Sequence, residues 1–153
     1  MFADSVIVPE CIFRPGSFAG LMTIYESNYI RLLNLGDDLR EVLTADSQER
    51  ISTTSRDCDL YLRLLRQERY TTTVNLTYWF EDESDRVADP DLVLRVYHDA
   101  HLVEAVSGTQ EHCHPELREF AKAHSSELDR RWRNNIMLNK WLDYLVDMGH
   151  GFS

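Results

Sequence analysis

The sequence predicts an α+β fold: an antiparallel sheet of four strands, or slightly more, built from two hairpins with N- and C-terminal helices packed on one face. Three observations carry this. Apolar residues recur at helical spacing near both ends of the chain, they alternate residue by residue in the middle, and the alternating runs fall into two pairs, each joined by a short turn. Residues 1–153 read as one domain, with 1–16 as an extended leader.

Taken in order, Phe18, Leu21, Met22, Tyr25, Tyr29, Leu32 and Leu33 define an amphipathic helix over Ser17 to Leu35, with Gly36 at its C-terminal cap. A shorter helix, Asp37 to Thr44, places Leu39, Val42 and Leu43 together and puts Asp37 and Asp38 at its positive end. Cys58, Leu60, Leu62 and Leu64 then alternate with Asp59, Tyr61 and Arg63, as Tyr70 to Phe80 alternates with threonines, Asn75 and Trp79. Matching the two apolar faces predicts pairs such as Leu62 with Thr72 and Leu60 with Val74. The loop near Arg66-Gln67-Glu68 should then have an odd number of residues.

Glu81 to Pro90 reads as an acidic, solvated loop. A second hairpin, Leu92 to His98 and His101 to Ser107, turns around Asp99-Ala100; facing His98 with His101 aligns Val96 with Val103, Leu94 with Ala105 and Arg95 with Glu104. Pro115 opens a helix to His124, and Ser126-Glu127-Leu128-Asp129 resembles a capping box. The helix after it carries the stripe Met137, Leu138, Trp141, Tyr144, Leu145 and Met148 and ends at Gly149. No internal repeat or low-complexity tract interrupts the chain.

Composition narrows the function classes. Hydrophobic residues make up 43% and charged residues 27%, which excludes disordered and fibrous classes. The formal net charge of −10 disfavours partners with phosphate backbones or anionic lipid heads. Of the basic residues 14 are Arg and 2 are Lys, so intramolecular ion pairing with the excess acids is the expected use. The start of the sequence has no basic n-region and its apolar run stops at Pro9, which predicts a cytoplasmic protein. Cys11, Cys58 and Cys113 are odd in number and lack a C-x-x-C pair, as expected of reduced thiols.

Arg69-Tyr70-Thr71-Thr72 and Arg95-Val96-Tyr97-His98-Asp99-Ala100, with Asn28-Tyr29, Leu32-Leu33 and Trp141-Leu142, carry a resemblance. The sequence resembles the YqiB-like family of small bacterial proteins, a domain of unknown function, from about the first helix to the last. The resemblance implies a single cytosolic bacterial domain and transfers no catalytic role. The cluster His112-Cys113-His114 and the leader before Ser17 depart from the family's pattern.

Several constellations could carry chemistry. His98, Asp99, His101, His112, Cys113 and His114 are zinc-binding residue types, and His98 and His101 would share a face if paired. No recognised zinc spacing accompanies them, and hydrogen-bonding turn histidines before a helix are the competing reading. Cys113 beside histidines could be a nucleophile, but carries no cysteine-enzyme signature. G-x-S-x-G is absent, as are both glycine-rich phosphate motifs, so no cofactor is expected. The aromatic and methionine stripe on the two long helices reads as core rather than as a cofactor box, and Arg130, Arg131 and Arg133 as a solvated or internally paired run.

The second face of the sheet gathers Tyr61, Arg63, Thr73, Trp79, Arg95 and Tyr97, a composition suited to an interaction surface, although threonines and aromatic pairs also decorate sheets routinely. The leading expectation is a non-enzymatic module that binds a protein partner or its own copy, with no nucleic acid and no membrane. The acidic loop, mimicking nucleic acid toward a basic partner, is a weaker variant. The alternative is a small anionic-ligand binder or enzyme around Arg69, Arg95, Tyr97, His98 and Asp99, with arginine holding the anion and His98, supported by Asp99, as acid or base.

Overall fold

The computed structural model describes residues 17–82, 85–107 and 127–152. Helix α1 (Phe18–Gly36) starts at Ser17, whose hydroxyl accepts from the Gly20 N–H at 3.1 Å, satisfying one of the orphan donors of the first turn. Its buried residues Leu21, Ile24, Tyr25, Asn28, Leu32 and Leu35 form the expected stripe. Gly36, expected as the cap, is instead the last helical residue. The left-handed position belongs to Asp37, with φ of 47°, whose N–H reaches the Leu33 carbonyl at 3.0 Å. A Cβ at Gly36 would meet Leu39 and Phe152 at 3.5 Å, an ordinary van der Waals contact, so packing does not demand a glycine there.

Helix α2 (Leu39–Val42) is one turn, shorter than the sequence predicts, because Leu43 is already extended; Asp38 caps it by accepting from Arg40 N at 2.9 Å. Strand β1 (Glu49–Ser52) was not legible in the sequence. It has one large apolar residue, Ile51, and that side chain faces solvent. Strands β2 (Asp59–Gln67), β3 (Thr71–Asp82), β4 (Asp85–Tyr97) and β5 (Leu102–Ser107) complete a five-stranded antiparallel meander in chain order, and helix α3 (Glu127–Asp147) follows. Both long helices pack against β5 and against each other. The expected helix from Pro115 to His124, the leader 1–16 and Ser126 of the expected capping box lie outside the described residues.

Two expectations are corrected. In the first hairpin Leu60 pairs with Tyr78, Leu62 with Leu76 and Leu64 with Val74, while Arg66 pairs with Thr73 and Gln67 with Thr72. The pairing from Leu60 to Leu64 keeps the expected parity but is displaced by four residues along β3, and a β-bulge at Leu65 then changes the odd-numbered loop to an even one. One extra residue on β2 lets both strands keep their apolar faces inward and still close through a two-residue tip, Arg69-Tyr70, with Glu68 N bonded to the Thr71 carbonyl at 2.8 Å. The acidic segment is not a ten-residue loop, since β3 runs to Asp82 and β4 starts at Asp85. Pro90, which has no N–H to give the ladder, falls where β4 carries an extra residue between the pairs Thr77–Asp91 and Trp79–Ala88. The second hairpin has the expected register, with Arg95 opposite Glu104 and Val96 opposite Val103.

The core lies between the sheet and the two long helices. Leu60, Leu62, Val74, Leu76, Leu92, Leu94, Val96 and Val103 meet Leu32, Leu35, Leu138, Trp141, Leu142 and Leu145 there. Each fully buried leucine contributes about 1.5–3 kcal/mol of transfer free energy. Along the seam of α1, α3 and the outer edge of β5 runs a buried amide network. Asn28 Nδ2 donates to the Val103 carbonyl at 3.3 Å and to Asn135 Oδ1 at 3.2 Å, Asn135 Oδ1 accepts from the Ala105 N–H at 2.7 Å, and Asn139 Nδ2 donates to Ser27 and Asn28. These side chains satisfy backbone groups that an edge strand would otherwise present to another strand.

Candidate functional site

Alternation along β2 to β5 divides the expected site residues between the two sheet faces. Tyr97 and Arg95 point to the outer face, away from the helices. Tyr97 donates to Glu104 Oε1 at 2.5 Å, and an Arg95 guanidinium nitrogen lies 3.6 Å from the same oxygen and 3.4 Å from the phenol. Burial, then the Glu104 carboxylate, pushes the Tyr97 phenol up, while the bond to Tyr97 leads the stabilisation of the Arg95 cation.

His98 belongs to the inner face. It is buried, and its Nε2 lies 2.6 Å from Thr72 Oγ1, whose proton is directed to Gln67 Oε1 at 2.8 Å. The threonine oxygen therefore accepts from an Nε2–H tautomer. Burial lowers the His98 pKa, with Arg40 adding to the effect. Asp99 is exposed in the β4–β5 turn, and Arg69 lies over the ring of Tyr70, 5.2 Å from its centroid, at the β2–β3 tip. Arg69, Arg95, Tyr97, His98 and Asp99 thus share one end of the sheet without converging on one cleft.

The remaining expected residues separate similarly. His101, at φ of 57°, stacks on Tyr29 with ring centroids 5.0 Å apart, whereas His98 is engaged with Thr72. His112, Cys113 and His114 lie outside the described residues, among which no group of three or more metal-ligating side chains gathers. Cys58 is half-buried, and burial followed by Asp57 and Asp59 raises its thiol pKa, the opposite of what a nucleophilic thiolate needs.

The outer face does bring the expected interaction residues together. Tyr61 and Trp79 meet edge to face at 6.4 Å and 85°, with Asp59 directly across the ladder from Trp79. Arg63 is exposed and pairs in register with Glu49 on one side and Asn75 on the other. Thr73 is half-buried opposite Arg95. Between these residues Asn75, Thr77 and Asp91 are joined through bonds of 2.7–2.9 Å, which hold the middle of the face in one arrangement.

One cluster was missed by sequence reasoning. Helix α3 ends in a Schellman arrangement: His150 N reaches the Leu145 carbonyl, Gly149 N reaches the Val146 carbonyl, both at 3.0 Å, and Gly149 takes φ of 94°. This turn carries the His150 ring beneath the end of β1. There Nδ1 lies 2.9 Å from Ser52 Oγ, and Nε2 lies 3.2 Å from Asp57 Oδ2. The Tyr78 hydroxyl donates to the other Asp57 oxygen, and Gly151 N donates to Ser52 Oγ at 3.1 Å. Three residues from β1, the β1–β2 connection and the C-terminal segment form a serine, histidine, carboxylate chain. No local motif surrounds the serine; the one signal in the sequence is a histidine held between two glycines just past the last helix.

Ser52 lines an open cleft of about 530 Å³ together with Gly36, Asp37, Ile51, Gly151 and Phe152. A second groove, of about 490 Å³, runs along α1 past Glu26, Tyr29, Ile30, Leu33 and His101. Among the described residues no helix is long and apolar enough to cross a membrane. No curated protein and no solved structure matches the chain. A family model does match, over residues 31–151, and by that match the chain belongs to the family described as a protein of unknown function, DUF1249.

Proposed function

We propose that the chain is a cytosolic recognition module of the bacterial YqiB-like type, and that its partner is a basic segment of another protein bound on the outer face of the sheet. The observation that carries this reading is the corner formed by Asp59, Tyr61 and Trp79. Aromatic rings attract lysine and arginine heads, and the Asp59 carboxylate across the ladder from Trp79 supplies the counter-charge. Among the described residues the positive groups on the same face are balanced locally, Arg95 by Glu104, Arg66 by Glu68 and Arg63 by its cross-strand position opposite Glu49. The chain's net charge of −10 draws a basic partner in and repels an acidic one. The anionic-ligand alternative loses support from the same geometry, because its five residues divide between opposite faces.

The test is a titration of the isotopically labelled full chain with an octapeptide of alternating arginine and glycine, followed by two-dimensional NMR. Shifts concentrated at the Trp79 indole N–H and the β2–β3 amides, weakened by salt and abolished by Tyr61→Ala, support the reading. Absence of shifts at millimolar peptide, or shifts confined to other elements, overturns it.

A further inference from the structure

The chain of Ser52, His150 and Asp57 does not contribute to the outer face and has an internal logic of its own. The Gly151 N–H can only donate, so Ser52 Oγ accepts from it. A neutral imidazole whose Nε2 faces the Asp57 carboxylate carries its proton there, which leaves Nδ1 as an acceptor. The Ser52 hydroxyl proton is then directed at Nδ1 across 2.9 Å. Tyr78 donates to the far oxygen of Asp57 and fixes the carboxylate in the orientation that receives Nε2–H. Every bond has one direction, and together they lead a proton from the serine oxygen toward the imidazole. That is the requirement for activating a hydroxyl, whichever ring nitrogen faces it.

We propose that Ser52 is an acyl-accepting nucleophile, with His150 as its general base and Asp57 as the positioning residue that holds the imidazole tautomer, and that it acts on small, uncharged or cationic activated esters. Substrate size follows from access. The His150 side chain is fully enclosed and Ser52 is 6% exposed, so only a compact acyl group entering from the cleft reaches the oxygen. Charge follows from Asp37 in the cleft wall and from the acidic chain as a whole.

In the reaction Ser52 Oγ forms a bond to the ester carbonyl carbon while its proton passes to His150 Nδ1. The carbon–oxygen bond to the leaving group breaks, and the leaving alkoxide takes that proton. Water then attacks the acyl-serine carbonyl, gives a proton to Nδ1, and the proton returns to Ser52 Oγ as the carboxylic acid departs. The Gly151 N–H, at rest on Ser52 Oγ at 3.1 Å, is a main-chain donor beside the attacking oxygen.

The alternative role for the same bonds is a clasp that pins the C-terminal segment to β1, so the experiment must separate nucleophile from clasp. The full chain is incubated with a fluorophosphonate, and in parallel with p-nitrophenyl acetate, at pH 8. Intact mass and peptide mapping locate any adduct, and nitrophenolate release is followed by absorbance. The proposal expects one phosphonyl group per chain, on Ser52, an initial burst of nitrophenolate, and steady-state release about 100-fold or more slower in Ser52→Ala and His150→Gln. Labelling of the wild-type chain needs no variant to fold, so it decides alone: no adduct, or an adduct on any residue other than Ser52, overturns the proposal and leaves the trio as a clasp.

Discussion

Replacing Asn135 with alanine tests whether the buried amide network, as well as the apolar core, holds the helices on the sheet. Asn135 is fully buried. Its Oδ1 accepts from the Ala105 N–H at 2.7 Å and from Asn28 at 3.2 Å, and its Nδ2 donates to the Arg131 carbonyl at 2.8 Å. The alanine variant removes all three bonds and leaves the Ala105 N–H, on the outer edge of β5, without its acceptor. Each net hydrogen bond contributes about 1 kcal/mol, and an orphaned buried donor costs about 1–3 kcal/mol. Asn28 keeps its bond to Val103, and the Arg131 carbonyl is a helix acceptor in its own right, so the expected loss is about 2–4 kcal/mol. With a urea slope of about 2 kcal/mol/M for a domain of this size, the midpoint falls by about 1–2 M. Hydrogen exchange at the Ala105 amide should accelerate by more than exchange at Val74, in the middle of the sheet. A midpoint within about 0.3 M of wild type, or unchanged protection at Ala105, would refute the assignment of this seam as a structural element.

Three further outcomes are expected. Leu94→Ala, in the middle of β4 with no exposed surface, should cost about 2–5 kcal/mol in chemical denaturation, and a loss under about 1 kcal/mol would mean the sheet–helix core is misplaced. His98 has a pKa held below its ordinary 6.5 by burial and by Arg40, so the unfolded chain takes up the proton first as pH falls. Its contribution to stability is therefore complete above about pH 6.5 and is lost as pH drops through the lowered folded value. His98→Gln should flatten that acid limb in a series of denaturation curves, and an unchanged limb would contradict the burial argument. Deleting Leu65 should leave stability within about 1 kcal/mol, because the exposed bulge residue disappears while Leu64–Val74 and Arg66–Thr73 become consecutive pairs; a loss above about 2 kcal/mol, or a changed tip by NMR, would show that the bulge is required.

Leu65 also shows where the sequence stops being legible. Periodicity of two identifies β2 and β3 because Leu60, Leu62, Val74 and Leu76 must all face one core, and that requirement is local to each strand. Pairing register is a property of two strands and their turn together. Leu65 is an apolar residue in an apolar run, so nothing in its identity reveals that it is extruded, and parity alone therefore favoured a different loop. The second hairpin was readable because a short turn joins runs whose apolar and charged positions fit a single alignment, Arg95 with Glu104 included. Strand β1 escaped for the opposite reason: Glu49–Ser52 is held by its hydrogen bonds to β2 and buries only Ser52, so it has no pattern to read.

The same distinction governs the candidate sites. Residues that share a face of one sheet follow from alternation, and so the amino-acid sequence alone suffices to put Tyr61 and Trp79 together. His98, by contrast, is next to Tyr97 in sequence, and adjacency in a strand puts two side chains on opposite faces. Ser52, Asp57 and His150 are separated by 98 positions from first to last, and no spacing rule connects them. What joins them is the turn after α3: the glycine at positive φ reverses the chain there, and the carbonyls left open at the helix end direct His150 N back to Leu145, which aims the imidazole at the end of β1. Gly149→Ala would strain that turn, since a side chain at φ of 94° is disfavoured, and would loosen His150 from Ser52 without touching either one. A Gly149→Ala chain that kept the wild-type exchange protection at His150 and Gly151 would show that the tail is positioned by Phe152 and Leu35 instead, and that the helix end has no part in building the serine site.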